Sequence, residues 1–448
     1  MNRLKQLLMK NALFHALFAL KGNARVCLWT EPLWGIPYNL CLPYASLYMA
    51  ALGLSPSEIG MVASIGIVSQ VIFSTLSGVI TDKLGRRWTT VIFDTLAWSV
   101  PEFIWMASQN VNWFIAAALF NGAWRVTENS WDLLLVEDLD AKDVLPAVSL
   151  AQMLGMIAAF IAPLSKFAID AFGLVPTMRI LYGITATSMT IKFLLVHIFS
   201  TETQMGMRRM QETKNKRLLT MLFECREVYL RLVLNKRMLL TFGILAAHSL
   251  VTTLSGTYWS LLVCSSMGVA QGNIVLFSTL KNLITLFCAF ALVPKISLVN
   301  FKKPLLLGLG GYIVSLVLLL CASIGISIMP LLIVSCALEA FSLAVLSPTT
   351  RSLMLVSANA NERARVCGLI YATIALLTAV FPGIVGYLAE ISLRIPFVVC
   401  IILFAFAGFL TLLLSRLPKD EALRLPAQRS FVCLFVKTPC RRGDGRVQ

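Results

Sequence analysis

The sequence predicts an all-α membrane protein: twelve transmembrane helices in two six-helix bundles that are diverged repeats of one another. Three observations carry that prediction. Of 448 residues, 58 % are hydrophobic and 13 % charged, whereas soluble domains carry about 25 % charged residues. Twelve apolar stretches reach the ~20 residues that a helix needs to cross a bilayer. A polar, basic stretch at 201–237 divides them six and six.

Residues 1–25 are basic and amphipathic, with Arg3, Lys5 and Lys10 among Leu4, Leu7, Leu8, Leu13 and Phe14. The unbroken apolar part is too short to span, and no small-residue cleavage site follows it, so a helix lying on the cytoplasmic surface is expected. Hydropathy and length then place spans at 26–50, 57–81, 88–108, 112–136, 146–171 and 177–199, forming the bundle 26–200. The linker 201–237 holds Arg208, Arg209, Lys214, Lys216, Arg217, Arg226 and Arg231 with interleaved leucines, as suits a helix along the inner surface. Spans at 238–262, 270–293, 304–325, 329–353, 366–390 and 395–415 form the second bundle, 238–415. The tail 416–448 is basic, proline-containing and aperiodic, and is expected to be disordered, cytoplasmic and attracted to anionic lipid. Shifted by 219 or 220 residues, Leu135-Val136 falls on Leu355-Val356 and Pro163 on Pro382.

The net charge of +16 would suit nucleic acid, but its distribution argues for a lipid bilayer instead. Only Arg179 and Arg394 fall at one set of loops, and Arg125, Lys166, Lys192, Lys281 and Arg351 fall inside spans; the other 31 of 38 basic residues gather on the opposite face. Positive charge marks the cytoplasmic side, which puts both termini inside. Short loops and the absence of a targeting extension point to a bacterial plasma membrane, and a monomer is expected. The 11 cysteines are scattered with no metal-ligand spacing, so neither a disulfide framework nor a metal site is implied. No phosphate-binding glycine loop, cofactor motif or nucleophile-base set stands out. An enzyme is therefore not expected, and transport would be driven by protons or another ion.

The stretch Gly78-Val-Ile-Thr-Asp82-Lys-Leu-Gly85-Arg86-Arg87 sits between the second and third spans. Gly78 and Gly85 are expected to permit close approach and an unusual backbone angle in a tight turn, and Asp82, Arg86 and Arg87 to supply fixed charge. At that position the spacing Gly-x3-Asp-x2-Gly-Arg-Arg resembles the loop between helices two and three of the major facilitator superfamily, and with the span count and linker the resemblance covers 26–415. It implies alternating access about a midplane cavity lined by the first, fourth, seventh and tenth spans. It also implies a cytoplasmic charge cluster of Asp82, Arg86 and Asp132 that holds the outward-open state and breaks to open inward. Two departures stand out. Around Pro294–Pro304 only Lys295, Lys302 and Lys303 remain of the motif's second copy, and Gly155 with Ala162-Pro163 is a poor version of the exporters' glycine-proline motif.

Ionisable groups inside spans cost about 2.5–3.5 kcal/mol each on insertion scales, so each needs a partner, a wet cavity or a snorkelling position. In the fourth span Asn121, Arg125, Glu128 and Asp132 share one helical face beside Trp124 and Trp131. Asp132 is expected to meet Arg86 or Arg87; Arg125 and Glu128 either satisfy each other or bind cargo or a proton. The first span offers Glu31, Trp34 and Tyr38 around Pro32 and Pro37, with Glu31 either facing the cavity or reaching the wet surface. The seventh offers His248 ahead of Thr252, Thr253, Tyr258 and Trp259. Glu339 of the tenth has no partner on its own helix and is expected to take up a coupling proton. Lys166 and Asp170 are spaced to pair, Lys192 and His197 to snorkel; Asp94 and Lys281 have no assigned role. Three readings follow: proton-coupled export of small amphipathic compounds, which the aromatic content favours; uptake of a polar or anionic nutrient anchored by Arg125; or a transporter-like sensor that moves nothing.

Overall fold

The computed structural model describes residues 20–215, 236–292, 301–325, 328–356 and 372–417. The expected surface helix before residue 20, the linker's Lys216, Arg217, Arg226 and Arg231, Lys295, and the tail from 418 lie outside these residues, as do the side chains of Arg351, Leu355 and Val356.

Among the described residues the helices form twelve rods. The first, α1, runs Gly22–Cys41, tightens through a 3-10 turn at Leu42–Tyr44 and continues over Ala45–Ala51. Next come α2 (Pro56–Leu84), α3 (Arg86–Asp94, a π turn at Thr95–Ser99, then Val100–Ala107) and α4 (Val111–Asn121 and Trp124–Val136). The first half closes with α5 (Ala141–Ala158, then Leu164–Phe172) and α6 (Leu174–Phe199), and a short linker helix follows at Gln204–Thr213. The second half comprises α7 (Lys236–Met267), α8 (Ile274–Leu292), α9 (Lys302–Ser323), α10 (Ile328–Val356), α11 (Ala372–Ile391) and α12 (Ile395–Arg416). Eight of these rods are long and apolar enough to cross a membrane by length and composition; α1, α3, α4 and α8 are the others. Pro163 and Pro382 stand at matching places, each where the last part of α5 or α11 begins.

The interruptions have local causes. Pro101 has no N–H, so the carbonyl of Ala97 one turn earlier is left free, and the ladder widens into the π turn. The amide of Asn121 donates to that carbonyl at 2.9 Å. In α1, Pro37 likewise frees the carbonyl of Leu33, which accepts from the Ser188 hydroxyl of α6 at 2.7 Å. Lipid offers no donor for such groups, so neighbouring helices must supply them. The fourth span, expected as one helix over 112–136, is broken at Gly122-Ala123.

Rods α1–α6 pack chiefly among themselves, as do α7–α12, and the halves meet where α2 lies along α11 and the end of α5 reaches the start of α8. Among the described residues the hydrogen bonds between halves lie toward the Glu58 end, away from Asp82. Tyr258 donates to the carbonyl of Pro56 (3.3 Å), the Gly383 N–H to Ser64 Oγ (2.8 Å) and Tyr44 to the Gly272 carbonyl (3.2 Å), while Ser57 meets Glu390. This seam needs a glycine: a Cβ on Gly60 would stand 2.3 Å from the Pro382 carbonyl oxygen.

Candidate functional site

Two cavities lie in the bundle. The larger, about 810 Å³, is enclosed between the halves by α1, α2, α3 and α4 on one side and α7, α10 and α11 on the other. The smaller, about 510 Å³, lies within the first half and extends toward the Asp82 end. Tyr38, Gln70, Trp98 and Asn121 line both, so the two cavities are neighbours that share these side chains.

Their junction is aromatic. Trp34 stacks on Tyr38 with ring centroids 5.1 Å apart, and Trp98 meets both edge-on at 5.3 and 5.4 Å. The π turn places Trp98, and the same Pro101 places Glu102 on the wall of the larger cavity. Glu102 is 7 % exposed, and its Oε2 is buried with no hydrogen-bond partner. Across the cavity stand His248, Thr252, Thr253 and Ser347, the second half contributing neutral groups. The His248 Nδ1 also has no hydrogen-bond partner, and its ring lies parallel to Phe404 at 6.4 Å.

The face read from α4 is one face in the structure. Asn121 lines both cavities, Arg125 the larger, and Glu128 and Asp132 the smaller, with Trp124 and Trp131. Arg125 reaches Glu128 at 2.8 Å and Gln70 at 3.2 Å while lying 3.9 Å from the Trp124 ring centroid. Lys166 and Asp170 also pair as their spacing suggests.

Other expectations need correction. Lys192 does not snorkel: it is buried and pairs at 2.8 Å with Glu31, which therefore faces the smaller cavity and not the surface. Asp94, unassigned from sequence, lines the same cavity. Glu339 is not stranded. Lys281 of α8 meets it at 2.6 Å and Tyr312 of α9 at 3.3 Å, with Lys281 also 4.1 Å from the Trp259 ring. This set lines neither cavity.

The motif between α2 and α3 is mostly helix. Gly78 lies inside α2 with open space beside it and ordinary backbone, so neither property expected of it holds. Gly85 has both: φ is +83°, and a Cβ there would stand 2.4 Å from a Glu202 carboxylate oxygen. Glu202 accepts the Arg86 and Arg87 N–H groups at 2.8 and 3.0 Å, capping α3 with negative charge where the helix dipole favours it. Arg86, 3 % exposed, pairs with Asp82 (3.3 Å) and with Glu137 (3.0 Å), while Arg87 donates to the His197 carbonyl. Glu137 thus takes the place expected of Asp132, whose side chain turns one and a half helical turns earlier into the smaller cavity. Thr203 and Thr213 of the linker bind Glu137 and the Asp82 carbonyl, so the cluster ties the first half and linker helix to themselves. The cluster is formed while hydrogen bonds join the halves at the Glu58 end.

Sequence reasoning missed Glu102, Trp98, Glu137 and Glu202. The rule that flagged other carboxyls inside spans would have found Glu102. Glu137 and Glu202 lie just past span ends, where hydropathy treats charge as unremarkable.

A family model described as Major Facilitator Superfamily matches residues 35–329. The quinolone resistance protein NorA of Staphylococcus aureus is 27 % identical over 84 residues, 19 % of this chain and 21 % of that protein, so the match spans about a fifth of the curated relative's length. Among solved structures, nucleoside transporter NupG aligns with a TM-score of 0.68 at 15 % identity, covering 89 % of this chain and 100 % of that one. A POT family transporter in complex with 5-aminolevulinic acid gives 0.67 at 14 % identity, covering 89 % and 96 %. The human organic anion transporter MFSD10 gives 0.55 at 16 % identity, covering 87 % and 98 %. At these identities the likeness is one of fold.

Proposed function

The chain belongs to the major facilitator superfamily, as a multi-pass membrane transporter of small molecules and not an enzyme, and from that premise we propose that it exports amphipathic compounds in exchange for protons. The observation that carries this reading is the aromatic hollow. A space of about 810 Å³ between the halves, beside a tryptophan-lined annex toward the basic end, suits a bulky, partly planar cargo taken up from the inner side. The seam along α2 and α11, far from Asp82, is then the outer gate of an inward-facing state, and rocking about it would present the same hollow outside. The short stretch of similarity to a quinolone resistance protein points the same way. Uptake of an anion anchored by Arg125 is less well supported, because Glu128 and the Trp124 face already hold that guanidinium.

Counterflow in proteoliposomes against a mixed library of amphipathic solutes, with and without an imposed pH gradient, tests this reading. The expected result is exchange of at least one aromatic amphipath and its accumulation when the gradient is applied. Exchange confined to small polar nutrients would replace export by uptake. Absence of any exchange, with ligands still raising the melting temperature, would make the protein a sensor.

A further inference from the structure

We propose that the outer end is closed by two equivalent clasps, one in each direction across the halves. In each, a tyrosine and a carboxylate of one half grip the start of a helix in the other: Tyr44 and Asp170 hold α8, and Tyr258 and Glu390 hold α2. This rests on the alternating-access reading above, to which it adds the residues that close the outer gate and the symmetry by which they do it.

The first support is register. The cap of α2 is Ser55, and the cap of the turn Gln271–Asn273 that leads into α8 is Ala270, 215 residues further on. Ser57 and Gly272 are therefore the same position, the second residue of equivalent rods. Tyr44 and Tyr258 each lie 22 residues into their rods, α1 from Gly22 and α7 from Lys236. Asp170 and Glu390, 220 residues apart, each lie in the last turn of α5 or α11. Diverged repeats thus place the same two kinds of side chain at the same two places, and each pair faces the opposite half.

The second is contact. Tyr258 donates to the Pro56 carbonyl at 3.3 Å and Tyr44 to the Gly272 carbonyl at 3.2 Å, both acceptors lying in the first turn of the gripped rod. Glu390 accepts from the Ser57 hydroxyl, which lies 2.9 Å from that of Ser55. A Cβ on Gly272 would stand 2.2 Å from Asp170 Oδ1, so that carboxylate lies directly against the start of α8. Helix starts favour negative charge, so each half sets a carboxylate where the other half's helix dipole welcomes it.

The third is that every gripping group has somewhere to go when the halves part, as a gate requires and a fixed joint does not. The Tyr258 hydroxyl also reaches the Pro382 carbonyl of its own half at 3.2 Å. Asp170 is paired with Lys166 of its own helix, and Glu390 is exposed to water. Both tyrosines are fully buried, and a buried hydroxyl left without an acceptor is costly; Ser165 of α5 lies beside that of Tyr44. The close approach itself comes from Gly386 in one clasp, whose Cβ would stand 2.9 Å from Ser57 Cα, and from Gly272 in the other.

Reversible cross-linking tests this on the full chain with its native cysteines replaced. The pairs Ser57→Cys with Glu390→Cys and Asp170→Cys with Gly272→Cys are each bridged by a short bifunctional methanethiosulfonate. Either bridge alone is expected to lower counterflow by about tenfold or more, and reductant to restore it. In the otherwise native chain with a cysteine at Ser64, inside the seam, Glu390→Gln and Asp170→Asn are each expected to speed its labelling by an impermeant thiol reagent about two- to fivefold, and together by the product of the two. That series decides where the cysteine-replaced chain fails to fold. Exchange that survives either bridge overturns the proposal, because that contact then never parts; so does labelling that rises for only one carboxylate or for neither. A chain that exchanges no solute before bridging removes the carrier reading, and labelling that still rises with each substitution then keeps the clasps.

Discussion

Deep inside α7–α12 the described charged side chains, Lys281 and Glu339, are closed on each other and on Tyr312, out of reach of both cavities. Inside α1–α6, Glu31, Asp94, Glu102, Arg125 and Lys192 line the two cavities, and the helices that carry all but Lys192 are interrupted. Two bundles of one architecture thus use buried charge differently. In the second half it pins three helices together, and among the described residues the polar groups that face the cavity are hydroxyls and an imidazole. In the first half Pro37 and Pro101 free backbone carbonyls that Ser188 and Asn121 satisfy, α4 is broken at Gly122-Ala123, and charged side chains of these helices line the cavities. Charge facing a cavity is available to a ligand; charge sealed among helices is available only to stability.

The sharpest way to break this comparison is to strand one charge in each half. Lys281→Ala leaves Glu339 buried with only a tyrosine hydroxyl, and should cost about 3–5 kcal/mol, read as a large fall in melting temperature. Replacing both, Lys281→Met with Glu339→Leu, should recover most of it. Lys192→Ala should destabilise less than half as much, roughly 1–2 kcal/mol, because Glu31 can be wetted from the smaller cavity. Equal losses in the two halves would erase the distinction.

Next in size is the seam. Gly60→Leu cannot be accommodated beside the Pro382 carbonyl and the Tyr258 hydroxyl, which a Cβ would meet at 2.3 and 2.4 Å. The Glu58 end should then stay parted, and transport should fall by about tenfold or more. A cysteine placed at Ser64 should react faster with a membrane-impermeant thiol reagent in that background; an unchanged labelling rate would mean that the seam does not gate. Glu137→Gln should follow, at about 2–3 kcal/mol, since buried Arg86 loses a charged partner that it meets through two nitrogens.

The smallest effect belongs to the linker helix. The hydrogen bond from Arg208 holds the Glu212 carboxyl below the usual glutamate range. Its contribution is therefore present above the unfolded-state value and lost as pH falls through the folded one. Glu212 is exposed to solvent, so melting curves of Glu212→Gln and wild type should superimpose at neutral pH and in high salt.

The all-α membrane fold and the motif ending at Gly85-Arg86 were legible because hydropathy and turn chemistry are written locally. So were Arg125 with Glu128 and Lys166 with Asp170, which sit three and four residues apart on single helices. Glu31 with Lys192 and Lys281 with Glu339 were not, because spacing along a chain does not say which helices face each other or with what rotation. The latter pair turned an expected proton carrier into a closed ion pair. Glu102 is a different case: as a carboxyl inside a span it carried the same local signal as the others, and what the chain alone hides is that Pro101 reshapes the backbone so that Glu102 lines the cavity.

The short cluster at the Asp82 end acts as a splint. Asp82, Arg86 and Glu137 come from the first half, and Glu202, Thr203 and Thr213 from the linker just after it. A gene divided shortly after Lys214 should therefore yield two polypeptides, the first with its own terminus already braced, that can find each other along the glycine-lined faces of α2 and α11 without a covalent tether.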